Sequence, residues 1–446
     1  MSQLRTEPFT IDAVRDQLLA RYQRNRARSH ALFALLADAA YESQPISLRH
    51  PIVFYEGHLP AFSFNTLIRK GLGGASINPA LETLFARGID PESADRSTDA
   101  VKWPSREEVA AFAEEADRRI IDALTHADLD QQGHPLLSQA EAAFAILEHE
   151  EMHQETLRYM FHRLPFVHKN APAGYRPRIE GAAFRPEWIE VPPGRATLGV
   201  DRGDIAFAWD NERPAASEDV LVFSIEKHDV TNSRFMEFVD AGGYQDPRWW
   251  QDEDWQWIRA ERHVHPIFWE RDGEHWFWRG MFERIPLPLS WPVYVSLAEA
   301  AAFARWQGAR LPTEPEFQLA AYGSPTGPRT HPWGDDAPQE RHGAFNFSTW
   351  DPTPVGSHPA GASAWGVEEL VGNGWEWTSS PFAPFPGFRP IPAYPEYSAD
   401  FFDGRHFVMK GASPATASEL LRPSFRNWFR RRYPYMYATF RCVRTN

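Results

Sequence analysis

Cysteine is almost missing from this chain: Cys442 stands alone among 446 residues, so no intrachain disulfide can form. Long apolar runs are missing too, none reaching the roughly 18 residues that span a bilayer. The opening, MSQLRTEPFT, lacks the apolar core of a secretory signal. Positive charge is in deficit: 46 Lys and Arg against 60 Asp and Glu leave a net charge of −14, a sign that repels nucleic acid and anionic lipid, and no concentrated basic face offsets it. These absences predict a soluble, cytoplasmic protein that acts on small molecules, with neither nucleic acid nor membrane as partner.

What the chain does have is apolar and aromatic mass, 43% and 14% of its residues, spread over a length that suits two or three domains of about 100–200 residues. The first part is rich in Ala, Leu, Arg and Glu. Within 11–39, Leu18, Leu19, Tyr22, Leu32, Leu35 and Leu36 recur at spacings near 3 and 4, the stripe of a bundle helix. A later helix is expected to start at a capping box, Ser138 with Glu141, and to run to Pro165. From Pro165 to about Pro193 the text becomes APAGYRPRIEGAAFRPEW and loses helical periodicity. The expected organisation is a helical bundle over 1–170 followed by a loop-rich α+β domain over 171–446. Trp249, Trp250, Trp255, Trp257, Trp269, Trp276, Trp278 and Trp291 crowd one stretch of that second part, and are read as rings that stabilise long loops in place of regular structure.

The strongest chemical signal is His149-Glu-Glu-Met-His153-Gln-Glu155 inside the later helix. Positions i and i+4 share a helix face, so both imidazoles can meet one metal ion. Glu155 points about 200° away from His153 and is read as an orienting or structural carboxylate. The same string satisfies H-E-x-x-H, the zinc-peptidase pattern with Glu150 as general base, so a metalloprotease competes as a reading from another class. A third ligand is needed either way. His58, in Phe54-Tyr-Glu-Gly-His58-Leu-Pro-Ala-Phe62, lies on a different expected helix, as when bundle helices converge on a metal. Three neutral histidines leave open positions for water, substrate or oxygen, and suit iron or zinc alike.

A family resemblance enters through the second half. Trp306-Gln-Gly-Ala-Arg-Leu-Pro-Thr-Glu-Pro-Glu-Phe317, His331-Pro-Trp-Gly-Asp335 and Val371-Gly-Asn-Gly-Trp-Glu-Trp-Thr378 resemble the formylglycine-generating-enzyme fold, a C-type-lectin-like domain. Taken with Gly57-His58 and the His149–His153 pair, the ordered set resembles the iron-dependent sulfoxide synthases of ergothioneine and ovothiol biosynthesis, which join a DinB-like helical bundle to such a domain. The resemblance implies Fe(II) as cofactor, O2 as cosubstrate and insertion of a chalcogen into the imidazole of a histidine derivative. Formylglycine generation itself depends on paired cysteines, which this chain lacks. By the same resemblance Asn427 and Trp428 hold the trimethylammonium of hercynine, Nα-trimethylhistidine, and Tyr394 donates a proton or hydrogen atom near the iron, with Tyr397 next in line. Phe429 and Met152 fall at positions that contact substrate in the family.

Departures from the family pattern bear on the donor. Mycobacterial-type ergothioneine synthases carry an acidic residue after the Asn-Trp pair, where this chain has Phe429. They carry an Arg-rich stretch where it has Gly88-Ile-Asp-Pro-Glu-Ser-Ala-Asp-Arg-Ser-Thr-Asp-Ala-Val-Lys-Trp-Pro-Ser-Arg106, and often Gln where it has Met152. Ovothiol synthases usually bear a fused methyltransferase, for which this length leaves no room. The stretches Met409–Ala417 and Arg426–Arg441 look closer to a third branch, the selenoneine synthases, which join hercynine to a neutral selenosugar. The expectation is therefore oxidative C–Se bond formation. The alternative is an ergothioneine-type C–S bond from cysteine or γ-glutamylcysteine.

Overall fold

The computed structural model describes residues 11–86, 102–179, 181 and 185–445. Most of the stretch 88–106 considered above lies outside them. The described residues up to Pro172, joined by Ile205–Phe207 and Ile391–Pro395, form one compact unit; those of Ala173–Asp204, Ala208–Pro390 and Glu396–Asn446 form a second.

The first unit holds α1 (Ile11–Phe33), α2 (Ile52–Ser63), α3 (Pro79–Leu84), α4 (Arg106–His126) and α5 (Glu141–Arg163), with α1 and α2 each packed on both α4 and α5. The stripe of α1 is buried at Leu18, Tyr22 and Leu32, but the helix stops at Phe33 and Leu36 bridges to Lys169 instead. Every residue of α2 except Glu56 is buried, the mark of a helix at the centre of its bundle. Charges inside the seam between α1 and α5 are paired: Arg21 with Glu151 at 2.5 Å and Arg26 with Glu150 at 3.0 Å, while the Gln154 amide donates to Asn25 O and Ser29 Oγ.

The capping box expected at Ser138 does not form. Gln139 and Ala140 adopt φ of 57° and 55°, a left-handed break that separates Ser138 from the first turn of α5. The Gln139 amide is satisfied by Asp130 at 2.7 Å instead.

The second unit is mixed α and β: β1 (Trp188–Val191), β2 (Gly194–Leu198), β3 (Ala216–Val220), β4 (Phe223–Glu226), α6 (Asn232–Asp240), α7 (Asp252–Glu261), β5 (Trp269–Asp272), β6 (His275–Arg279), β7 (Arg284–Pro286), α8 (Leu297–Trp306), α9 (Glu314–Tyr322), β8 (Gly374–Pro381), β9 (His406–Ala412), β10 (Asn427–Arg430), β11 (Ala438–Thr439) and β12 (Val443–Thr445). Its main sheet runs β10-β9-β8-β11, antiparallel except for β11 beside β8. A second sheet, β1-β4-β12, shares a core with α9 through Val191, Phe223, Ile225, Phe317 and Val443.

The tryptophan-rich stretch overturns the expectation of long loops for five of its eight rings. Trp255 and Trp257 lie on α7 and Trp269, Trp276 and Trp278 in the antiparallel sheet β5-β6-β7, with Trp269 opposite Trp278, whereas Trp249, Trp250 and Trp291 lie outside α-helix and strand as expected. Trp250, Trp269 and Trp291 are buried with their indole N–H groups on Gly243 O, Asn232 Oδ1 and Arg178 O, so each ring is tied to the chain around it as well as packed. Among the described residues no helix is long and apolar enough to cross a membrane.

Candidate metal centre

Two helices of the first unit supply three imidazoles to one point. His149 and His153 sit one turn apart on α5, and His58 faces them from α2. The potential ligand atoms of the three lie within 4.8 Å of one another, and among the described residues this is the one group of histidines, cysteines or carboxylates that could hold a metal. His58 and His149 are buried, whereas His153 keeps an exposed edge.

Hydrogen bonds fix which nitrogens are free. His58 Nδ1–H donates to Phe85 O at 2.8 Å, and His153 Nδ1–H donates to His149 O at 3.0 Å, so both Nε2 atoms present lone pairs. His58 Nε2 and His149 Nε2 are 3.2 Å apart. Two nitrogens at about 2.1 Å from a shared metal stand about 3.0 Å apart at a right angle and about 3.4 Å at the tetrahedral angle, so the spacing fits one ion. His149 Nδ1 is buried without a hydrogen-bond partner. Burial lowers the pKa of His58 to about 4 against the hydrogen bond to Phe85, and pushes His149 and His153 well below the usual histidine range, where repulsion from neighbouring imidazoles adds to the effect. The set is thus neutral and ready to bind a cation.

Rings enclose it. Phe54, His58 and Phe62 follow one another at i, i+4 and i+8 on α2, and the Phe62 ring stacks on His149 with centroids 3.5 Å apart and 8° between planes. Tyr394, in the segment Ile391–Pro395 that belongs to this unit, lies 5.4 Å from the Phe62 ring and 6.2 Å from that of His149. Phe62 was not among the expected site residues, although its four-residue step from His58 is a signal that could have found it. Met152 is half-buried next to His153, and Glu155 is buried on α5.

Glu150 faces the other way. Its carboxylate receives Arg26 Nη1 at 3.0 Å and Ser29 Oγ at 2.6 Å from α1, and burial raises its pKa. A carboxylate committed to that buried pair is not placed as the general base of a zinc peptidase.

The remaining expected residues belong to the second unit. Trp428 on β10 stacks on Phe382 at 4.4 Å and 4°, meets Tyr397 edge-on at 5.1 Å and Phe401 at 5.7 Å. Tyr397 in turn stacks on Trp209 at 4.0 Å. Tyr397 is therefore one wall of an aromatic cluster around Trp428, whereas Tyr394 sides with the histidines. Asn427 and Phe429 alternate with Trp428 along the strand; Asn427 Oδ1 accepts the Trp428 N–H, and Phe429 packs on Tyr433 at 5.0 Å. Trp209, Phe382 and Phe401 are members that no motif marked.

Comparison with known proteins agrees with this layout. Residues 178–446 match the sulfatase-modifying factor enzyme 1-like domain, and residues 21–157 match the DinB superfamily. The hercynine oxygenase of Mycobacterium tuberculosis is 36% identical over 435 residues, 96% of this chain and 98% of that protein. That of Mycolicibacterium thermoresistibile is 36% identical over 408 residues, covering 88% and 86%. Ergothioneine biosynthesis protein 1 of Schizosaccharomyces pombe is 30% identical over 439 residues, 90% of this chain and 52% of that protein. The chain belongs to this family of two-domain oxidoreductases, in which a DinB-like bundle precedes a formylglycine-generating-enzyme-like domain.

Proposed function

We propose that the chain is an iron-dependent hercynine oxygenase that forms a carbon–sulfur bond at imidazole C2, with cysteine or γ-glutamylcysteine as donor. The observation that carries this is the neutral three-histidine cluster in a chain alignable over nearly its whole length with hercynine oxygenases. In balance, C2–H and S–H bonds are lost, a C2–S bond and an S=O bond form, and the second oxygen atom leaves as water. His58, His149 and His153 would hold Fe(II), which would supply the O2 affinity and one-electron chemistry that side chains lack.

The chain's own residues do the rest. Phe54 and Phe62 exclude water from the imidazoles and hold their planes. The Tyr394 hydroxyl, a weak acid beside the cluster, supplies a proton on the reacting side. Trp428, backed by Phe382 and flanked by Tyr397 and Phe401, offers an aromatic face to the trimethylammonium, which has no hydrogen-bond donors of its own; Asn427 adds an oriented dipole. Met152 and Phe429 give apolar contacts to the substrates.

A second reading, a neutral selenosugar as donor and a C–Se bond as product, is favoured by Phe429, an aromatic residue at a position where a cysteine-derived donor calls for a charged partner. Anaerobic protein with Fe(II) and hercynine, exposed to O2 with γ-glutamylcysteine, cysteine or a selenosugar in parallel, separates the two by the mass of the product. The hercynine–thiol sulfoxide is expected. A product with the selenosugar alone supports the second reading, and no product with any donor contradicts both.

A further inference from the structure

The three ligands are not held alike. His153 is oriented from within its own helix, and His149 by the Phe62 ring, but His58 takes its direction from another element altogether, the carbonyl of Phe85 at the end of α3. That carbonyl is fixed with unusual care for a six-residue helix. Asn78 caps the start by accepting from the Ala80 and Leu81 amides. The Glu82 carboxylate gathers Ser76 Oγ and the Ile77 and Asn78 amides at 2.7–3.0 Å, with Arg69 at 3.3 Å, and Asn65 donates to Glu82 O at 3.0 Å. Phe85 itself is fully buried, its ring stacked on Trp103 and near Phe54.

The opposite wall of that ring is Gly57. A Cβ built there would lie 2.4 Å from Cε2 and Cζ of Phe85 and 2.6 Å from Cδ2, far inside any real contact. The residue before the ligand thus lacks a side chain, and the ring of the residue that orients the ligand fills the space. We infer that Gly57 and Phe85 form a positioning latch: the ring seated on Gly57 holds the Phe85 carbonyl where it fixes His58 as the Nδ1–H tautomer with Nε2 aimed at the metal. A helix-terminal carbonyl also carries partial negative charge, which strengthens the imidazole as a ligand. The inference rests on the metal-site reading above.

The test uses the full chain, with Fe(II) titrated anaerobically and Zn(II) as a redox-silent second probe. Gly57→Ala is expected to lower metal affinity 10–100-fold, the usual cost of losing a ligand's orienting partner, with thermal unfolding still cooperative. Gly57→Ala combined with Phe85→Ala, which removes the clashing ring and keeps the backbone carbonyl, should regain most of that loss. Nitrogen shifts of the His58 ring in the metal-free protein should read Nδ1–H in the wild type and lose that signature in Gly57→Ala. A wild type that binds neither metal defeats the metal-site reading itself. A wild type that binds, with Gly57→Ala binding equally well, or with no recovery in the double variant, or with His58 protonated on Nε2, overturns the latch alone.

Discussion

Tyr394 and Trp428 are both aromatic and both tied to the same proposed reaction, yet their surroundings make them fail in different ways. Trp428→Ala removes the face offered to the trimethylammonium, so hercynine should bind more weakly by about 1–2 kcal/mol in calorimetric titration, with poorer discrimination against histidine. Tyr394→Phe removes only the hydroxyl of a ring whose centroid lies 6.2 Å from that of His149; hercynine affinity should hold while product formation falls or oxygen is spent on the donor. Equal binding losses in the two variants would show that Tyr394 is a binding residue. Glu150 gives a third prediction. Glu150→Ala removes one of the two carboxylates on buried Arg26, leaving Asp117 at 2.9 Å, and deprives Ser29 Oγ of its acceptor; it should cost about 1–3 kcal/mol in urea unfolding, whereas Glu150→Gln should keep oxygen-dependent turnover and show no peptide cleavage. Turnover abolished in a folded Glu150→Gln protein would return that residue to the chemistry. The convergence of His58, His149 and His153 was legible in their spacing on two expected helices. The Phe85 carbonyl was not, because a backbone acceptor has no residue identity and its position depends on how α3 is held.

Among the elements, α3 carries a pH dependence. Burial alone would raise the pKa of Glu82, but hydrogen bonds from Ser76, Ile77 and Asn78 and the charge of Arg69 outweigh it, so the folded value is depressed. A depressed carboxylate contributes stability above its unfolded pKa, near 4.5, and loses it as the pH falls through the lower folded value. The gap in unfolding midpoint between wild type and Glu82→Gln should therefore be widest at neutral pH and narrow as the pH falls below about 4.5; a gap independent of pH would mean that neutral hydrogen bonding, not the charge, fixes α3. Two elements were misread for local reasons. Ser138 and Glu141 have the spacing of a capping box, but the left-handed pair Gln139 and Ala140 between them is invisible to a spacing rule. The run Trp276-Phe-Trp278 in β6 hides the alternation of a strand, since both faces carry aromatic rings.

For the whole molecule, the order of the two domains was evident from the change of composition after Pro165 and from motifs spread over both parts. What composition does not reveal is that Ile205–Phe207 and Ile391–Pro395 pack with the helical unit, which brings a tyrosine from near residue 400 to histidines at 58, 149 and 153. Long-range placement of this kind is decided by tertiary packing. The central claim, an iron- and oxygen-dependent bond to hercynine, is tested most directly by one mass spectrum: protein loaded anaerobically with one equivalent of Fe(II), given hercynine and γ-glutamylcysteine, then exposed to 18O2. The expected result is a hercynine–thiol conjugate carrying one 18O atom, absent without iron and absent in His58→Ala, His149→Ala or His153→Ala. Conjugate formed at the same rate by the three histidine variants, or hercynine recovered unchanged from iron-loaded wild type with thiol or selenosugar donor alike, would contradict it.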